Sequence, residues 1–313
     1  MAQSPYLPPV NRLLTRGEDA SVRSKAWADY RTLGIGAEHV PALIRMATDE
    51  ELLWADGDSL WVWAPLHAWR ALGQLRAAEA VEPLLGLLHF IDDNQDDWIG
   101  EELPRVFALI GVPAVGPVGS YLADRSHGQE ARVTVADALG EIGRAHPECR
   151  DDCVAILTRE LARLDREQPV VNATCVSSLV DLGALESAAV MERAFAAHVV
   201  DLSLMGDWEE VQIELDLLTE RLTPPPKRGW LFAGTGDTDL ERAEETDQPT
   251  PGPADPHEVA ELKRRLAASQ GKLAVARADL AHHLAAHAAE LAREKAKAKR
   301  KTAKKARRRN RRR

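Results

Sequence analysis

Apolar residues recur at spacings of three and four along most of this chain, and this periodicity restricts the fold more than any other feature. The clearest stretch, residues 60–90, holds two apolar stripes separated by Gly73. The first comprises Leu60, Trp63, Ala64, His67, Ala68 and Ala71, and the second Val81, Leu84, Leu85 and Leu88. The plan recurs over residues 26–44, 102–122, 133–161 and 171–195. Because this spacing places apolar side chains on one face of an α-helix, it predicts about five helix pairs.

A glycine stands near the end of the first helix of each predicted pair: Gly34, Gly73, Gly111, Gly140 and Gly183. Glycine adopts the left-handed conformation that ends many helices, so we expect caps at these positions. The pairs recur roughly every 30 to 43 residues, a period typical of arrays in which neighbouring pairs bury each other's apolar faces. A final helix over residues 207–222 begins with the D-x-x-E spacing of a helix start. The predicted fold class is all-α, an α-solenoid.

Two strings in the clearest pair resemble the HEAT-like repeats named after phycobilisome lyases, a family of armadillo-type α-solenoids. They are Ala68-Trp69-Arg70-Ala71-Leu72-Gly73-Gln74-Leu75 and Ala80-Val81-Glu82-Pro83-Leu84-Leu85. The resemblance covers about half of the chain, best over residues 60–90 and less closely over 130–198. It implies an α-solenoid that binds proteins. A few members of that family are chromophore lyases, but no local motif of that activity matches a position in this sequence.

Composition divides the chain into four parts. Residues 1–222 carry the repeats, and residues 223–256 are rich in Pro, Gly and acids, which predicts a flexible linker. Residues 257–292 predict an Ala-rich amphipathic helix with a partial heptad pattern, so a coiled coil and a lone helix both remain open. Residues 293–313 form a basic tail.

The basic tail holds 14 Lys or Arg residues against one acid, Glu294, in a chain of formal net charge −9. A buried cation without a partner loses several kcal/mol of hydration, so the tail needs solvent or an anion. We predict contacts with a polyanion such as RNA or the ribosome, without base stacking because no aromatic residue is interleaved. The predicted contacts are Lys295, Lys297, Lys299, Arg300, Lys301, Lys304, Lys305, Arg307, Arg308, Arg309, Arg311, Arg312 and Arg313.

Acidic and tryptophan residues recur where one predicted helix pair passes to the next. The candidate partner-binding residues are Trp54, Asp92, Asp93, Asp96, Asp97, Trp98, Glu101, Trp208 and Glu209. If these junctions align along one edge, they form an anionic strip suited to a basic peptide, because Arg and Lys pair with carboxylates and stack on indoles. The structural alternative is that the acids offset helix dipoles and the tryptophans belong to the core.

No recognisable catalytic motif or cofactor site appears in the sequence. A G-x-S-x-G string is absent, and Gly234-Thr235-Gly236 lacks the G-K-[ST] of a phosphate loop. The acids of residues 92–103 lack the ligand spacing of a calcium loop. His146, Cys149 and Cys153 have no nearby second Cys/His pair to complete a zinc site.

Three cysteines, no secretory leader and no apolar run of about 20 residues predict a cytoplasmic protein with reduced thiols and no membrane insertion. The function predicted is that of a non-enzymatic scaffold or adaptor without a cofactor. Its acidic solenoid would bind a protein partner while its tail contacts a polyanion. Two alternatives remain open: a lyase or chaperone of the phycobilisome-lyase type, and a self-regulated binder whose tail docks on its own acidic surface.

Overall fold

The computed structural model describes residues 6–18, 27–94 and 96–225, and every regular element in these ranges is a helix. The α-helices are Val40–Ala47 (α1), Glu50–Leu53 (α2), Ala64–Gln74 (α3), Val81–Leu85 (α4), His89–Asn94 (α5), Asp97–Ile110 (α6), Val112–Ala123 (α7), Gln129–Ala145 (α8), Arg150–Leu161 (α9), Pro169–Asp181 (α10), Ala188–Ala196 (α11), Leu202–Met205 (α12) and Trp208–Glu214 (α13). Short 3-10 helices occupy Val10–Thr15, Tyr30–Leu33, Ala37–His39, Leu60–Trp63, Ala78–Ala80, Pro147–Cys149 and Leu185–Ser187. The all-α prediction is confirmed.

The helices stack in two layers. In one layer, each helix of the series α1, α3, α6, α8, α10 and α12 packs against the next. In the other layer, α4, α7, α9, α11 and α13 do the same. Because each pair covers the apolar face of its neighbours, the buried side chains form one continuous core from Tyr6 to Leu217. This is the architecture of an α-solenoid, as the repeat spacing predicted.

The first predicted pair differs from the others. Its first half forms the 3-10 helices Tyr30–Leu33 and Ala37–His39, and only its second half enters an α-helix, α1. Gly34 takes a φ of +82° directly after the first of these turns and ends it. A left-handed residue breaks the hydrogen-bond ladder of an α-helix, so the segment turns twice before a regular helix begins.

Two of the five glycines predicted as caps lie inside helices. Gly111 and Gly183 follow the expectation, with φ values of +84° and +58°, whereas Gly73 and Gly140 are helical residues of α3 and α8. A Cβ atom on Gly140 would lie 2.9 Å from Oγ of Ser178 in α10. The glycine therefore permits a close helix crossing, and the cap prediction was wrong at these two positions.

A buried ionic group ties three consecutive helices together. Nη2 of Arg132, in α8, donates to Oε1 of Glu160, in α9, at 2.6 Å, and both side chains are almost fully buried. Nε of Arg132 also donates to the carbonyl of Leu122, and Nη1 of Arg163 donates to that of Ala123. Both carbonyls belong to the last turn of α7, where carbonyl groups have no hydrogen-bond donors within their own helix. The group therefore caps one helix with side chains from the next pair.

The N-terminal segment is anchored on α3 by a buried histidine. Nε2 of His67 lies 2.9 Å from the carbonyl oxygen of Gly17, and Nδ1 lies 2.6 Å from Oη of Tyr30. Since a carbonyl can only accept, Nε2 of His67 donates to Gly17, while Nδ1 forms the hydrogen bond with the tyrosine hydroxyl. His67 is thus a packing residue that holds two N-terminal turns on the solenoid.

The stack ends in α13. Oδ1 of Asp207 accepts the N–H of Glu210 at 3.1 Å, which confirms the helix start predicted from the D-x-x-E spacing. The helix stops at Glu214, well before residue 222, because Asp216 takes a φ of +57°. The predicted segments beyond residue 225, including the helix over 257–292 and the basic tail, lie outside the described residues.

Candidate partner-binding site

A turn after α2 forms the rim of a cleft near the N-terminal end of the stack. Oδ1 of Asp56 accepts the N–H of Asp58 at 3.0 Å, and Oγ of Ser59 accepts the N–H of Trp61 at 3.2 Å. Short polar side chains commonly stabilise turns and helix starts in this way. They direct the chain into the 3-10 helix Leu60–Trp63, which supplies one wall of the cleft.

The cleft holds a cavity of about 210 Å³ that is partly open to solvent and whose walls are mainly apolar. Its lining residues are Leu53, Gly57, Val62, Trp63, Pro65, Leu66, Trp69, Asp96 and Trp98. The rings of Trp63 and Trp98 meet edge to face, with centroids 5.4 Å apart and planes inclined by 83°. Two of the indoles that line the cavity are therefore packed against each other at nearly a right angle.

Hydrogen bonds to the backbone hold two further lining residues in position. Nε1 of Trp69 donates to the carbonyl of Ala47, at the end of α1, at 2.9 Å. Oδ1 of Asp96 accepts the N–H of Ile99 at 3.1 Å and so caps the start of α6. The cleft is built from α2, α3, α6 and a 3-10 helix, and its geometry is set by the packing of these elements.

Trp54 lies on the outer side of the same region. It directly follows α2, its side chain is 49% exposed, and its ring meets Phe90 of α5 edge to face at 5.3 Å. Asp93 on α5 and Asp97 and Glu101 on α6 are exposed. The structure therefore gathers the predicted residues of the first two acidic junctions around one end of the solenoid.

Asp92 has a structural role that the sequence did not indicate. Its Oδ1 accepts the N–H of Glu130 at 2.9 Å, and its Oδ2 accepts the N–H of Ala131 at 3.1 Å. Both N–H groups belong to the first turn of α8, which has no intrahelical acceptors for them. Asp92 caps that helix, so its carboxylate is already engaged within the fold.

Trp208 and Glu209 lie at the opposite end of the stack from the cleft. Both belong to α13, which packs against α11. The ring of Trp208 packs on that of Phe195, with ring centroids 5.8 Å apart. Oε2 of Glu209 accepts hydrogen bonds from the N–H groups of Leu222 and Thr223, each at 3.0 Å. These two residues stabilise the end of the solenoid, and the packing does not bring them to the other predicted partner-binding residues.

The part of the chain that contains the cleft matches a known family model. The model described as "Protein of unknown function (DUF1186)" matches residues 45–223, more than half of the chain. The chain belongs to the DUF1186 family. The matched DUF1186 region contains every residue that lines the cleft. Searches of curated proteins and of solved structures give no match to this chain.

The DUF1186 region is strongly acidic around the cleft. Thirteen Asp or Glu residues lie between Asp49 and Glu102, against two basic residues, Arg70 and Arg76. Arg70 is fully buried and donates through Nε to Oε2 of Glu102 at 2.7 Å. Its charge is therefore balanced inside the core. This stretch therefore carries an excess of negative charge, which favours cationic ligands.

Sequence reasoning missed Trp63 and Trp69 as members of this site. Both were interpreted through the helical repeat pattern, yet they line the cavity together with Trp98. A usable signal was present, because five of the eight tryptophans in the chain lie between Trp54 and Trp98. Such a local excess of indoles exceeds what one helix pair needs for its core.

The cysteines of the DUF1186 region are packing residues. Cys149, Cys153 and Cys175 are free and buried. Burial raises the pKa of Cys153 and of Cys175 to about 12, so both remain neutral thiols at physiological pH.

In the described ranges, no three His, Cys, Asp or Glu side chains gather as a metal ion requires. None of the described helices is long and apolar enough to cross a membrane.

Proposed function

We propose that this protein is a non-enzymatic interaction adaptor. In this proposal, the DUF1186 region binds a basic segment of a protein partner at the acidic surface around the tryptophan cleft, and the basic tail contacts a polyanion such as RNA. The observation that carries the proposal is this surface, where Trp54 and Trp61 are exposed within a stretch holding thirteen acids and two basic residues. Arg and Lys side chains pair with carboxylates and stack on indole faces, so this surface suits them.

Exposed apolar side chains beside the cleft support a protein partner. Trp54, Leu60 and Trp61 are 49%, 53% and 50% exposed. Large side chains of this kind, rimmed by carboxylates, are typical of interaction surfaces, and tryptophan is enriched among the residues that dominate binding energy. The stacked helices beneath them provide a rigid support, so little ordering entropy would be lost when a partner binds.

The proposed role of the tail depends on its sequence. Fourteen basic residues and one acid in 21 positions can neutralise successive phosphates and release their counterions. Affinity for duplex RNA or DNA should then fall with salt at a log–log slope of about −0.9 per phosphate contact. Because the tail and the DUF1186 region carry opposite charge, each part would select a different class of partner.

Binding of an Arg-rich peptide tests the acidic surface around the cleft. We expect the variant Trp54→Ala/Trp61→Ala to bind it at least about tenfold more weakly, since truncating an indole at the centre of an interface commonly costs 2 kcal/mol or more. The variant Leu185→Ala provides a control, because Leu185 is similarly exposed (45%) but lies in a later repeat. Equal affinity of the two variants would remove this surface from the proposal.

Truncation at Ala292 tests the tail. The full chain should bind RNA in moderate salt, and the truncated chain should not. Equal RNA binding by both would refute the role of the tail. The same pair of proteins should also be titrated with the Arg-rich peptide. A higher peptide affinity after truncation would show that the tail competes for the acidic surface of its own chain.

A further inference from the structure

The cavity of the cleft has few polar side-chain groups for its size. Among the described residues that line it, only Asp96 has a side-chain acceptor; the other polar side-chain groups are the N–H donors of Trp63, Trp69 and Trp98. The donor of Trp69 is used by the carbonyl of Ala47. The remaining lining residues are aliphatic or glycine. A ligand group that needs several side-chain acceptors would therefore find one carboxylate here.

The indoles and the carboxylate together favour a positive charge. The face of an indole ring carries the negative part of its quadrupole, and a cation within about 6 Å of the centroid is attracted to it. Trp63 and Trp98 form two walls inclined by 83°, and Trp69 supplies a third indole. Asp96 adds a formal negative charge at the rim. Arg70 is the basic residue nearest in sequence to the lining residues of α3, and its positive charge is paired with the carboxylate of Glu102.

The type of cation follows from the number of its N–H donors. A guanidinium group has five and a primary ammonium group has three. Removing such a donor from water without a new acceptor costs about 1–3 kcal/mol, and the cavity offers one carboxylate side chain, which already accepts the N–H of Ile99 through Oδ1. A quaternary ammonium has no N–H donors, so it can leave water and pack its methyl groups on the indole faces.

We propose that this cavity is a binding site for a quaternary ammonium group. Its volume of about 210 Å³ is below the ~300 Å³ at which pockets for drug-sized ligands begin, so it suits one head group or one modified side chain. The group could belong to a small trimethylammonium compound or to a trimethylated lysine of a peptide. The inference goes beyond the proposed function, which uses the exposed acidic surface around this cavity.

Saturation-transfer NMR of the full chain tests the site without any variant. The probes are choline and its neutral carbon isostere, in which a tert-butyl group replaces the trimethylammonium. We expect choline to bind on the order of tenfold more tightly, because only the charged head group gains the cation–π attraction. Equal binding of the two, or no binding of choline, would overturn the proposal.

Three variants locate the site. Trp98→Leu should abolish the binding of choline, and Asp96→Asn should weaken it several-fold while keeping an N-cap for α6. Trp54→Leu should leave it unchanged, because Trp54 does not line the cavity. Retained binding in Trp98→Leu would refute the assignment. A thermal unfolding midpoint for each variant confirms that it is folded, and the comparison of choline with its isostere stands even if Trp98→Leu fails to fold.

A pair of peptides separates the two sources of the head group. One carries a trimethylated lysine and the other the unmodified lysine in the same sequence. Tighter binding of the methylated peptide than of choline assigns the site to a protein partner, whereas tighter binding of choline assigns it to a small molecule. Failure of choline and of the methylated peptide would remove this inference but leave the Arg-rich peptide assay, and with it the proposed function, unaffected.

Discussion

The carboxylate of Asp92 occupies the space that a side chain on Gly128 would fill. A Cβ atom on Gly128 would lie 2.1 Å from Cγ of Asp92, and the carboxylate accepts the N–H groups of Glu130 and Ala131. Gly128 is the N-cap residue of α8 and has the extended backbone typical of that position. The missing side chain of one residue and the carboxylate of the other therefore make a single helix cap across two repeats.

We expect Asp92→Ala to lower the free energy of unfolding by about 1 kcal/mol, since the first turn of α8 loses its cap. Adding Gly128→Asp in that background should restore most of the loss, because the new carboxylate would cap the same turn locally. Gly128→Asp alone should be destabilising, as it would crowd Asp92. Urea denaturation gives the free energy of unfolding of each variant.

Asp93→Ala is the control, because Asp93 is an exposed neighbour of Asp92. Equal losses of stability in Asp92→Ala and Asp93→Ala would contradict the role of Asp92 as a helix cap.

Gly111→Ala should cost on the order of 2–3 kcal/mol of stability. Gly111 has a φ of +84° and a ψ of −142°, a region almost restricted to glycine. A Cβ atom there would also lie 2.8 Å from Nε2 of His146, the atom that bonds the carbonyl of Ala108.

Gly183→Ala provides the comparison. Gly183 also has a positive φ, +58°, but nothing lies within 4 Å of its Cβ position. Its substitution should cost only about 1 kcal/mol, the price of the backbone conformation. Thermal or chemical denaturation of both variants gives the difference, and equal losses would show that neither the contact with His146 nor the backbone region of Gly111 adds to the cost.

Glu160→Leu should lower stability by roughly 3 kcal/mol, because it leaves the buried guanidinium of Arg132 without its carboxylate. The double variant Arg132→Leu/Glu160→Leu should lose clearly less than the sum of the two single variants, since no uncompensated charge remains. Arg144→Ala provides the comparison, because its pair with Asp181 is half exposed and should contribute less than about 0.5 kcal/mol. Additive losses in equilibrium unfolding would contradict the coupling.

The stability contribution of Asp207 should depend on pH. Partial burial opposes ionisation of this carboxyl, but the hydrogen bonds from Arg221 and from the N–H of Glu210 outweigh it and hold the pKa of Asp207 below its ordinary value of 3.8. A depressed carboxyl pKa stabilises the fold fully above the unfolded-state value and loses this effect as pH falls through the folded-state value.

Asp207→Asn isolates that effect, because asparagine also caps a helix but cannot pair with Arg221 through a charge. At pH 7 the variant should be less stable by up to about 1 kcal/mol, given the partial exposure of the pair. The difference should shrink as pH falls below about 4 and vanish once the wild-type carboxyl is protonated. Unfolding free energies measured across this range decide the matter, and a difference independent of pH would refute the assignment.

Local signals in the sequence predicted features that depend on a few neighbouring residues. The apolar spacing of residues 60–90 predicted α3 and α4, and the D-x-x-E spacing predicted the start of α13. Gly140 shows the limit of such signals. The residue is followed by Glu141, Ile142 and Gly143 in what resembles a helix end, yet the approach of Ser178 from α10 makes it an interior crossing point.

For the candidate site, the sequence by itself determined the composition of the surface: acids and tryptophans concentrated between Asp49 and Glu102. Only the tertiary structure decided which of them share a cavity. It joined Trp98 to Trp63, used Asp92 as the cap of α8, and placed Trp208 at the other end of the stack. The physical reason is that helix formation depends on residues three or four positions apart, whereas a cavity forms where side chains from separate helices pack incompletely.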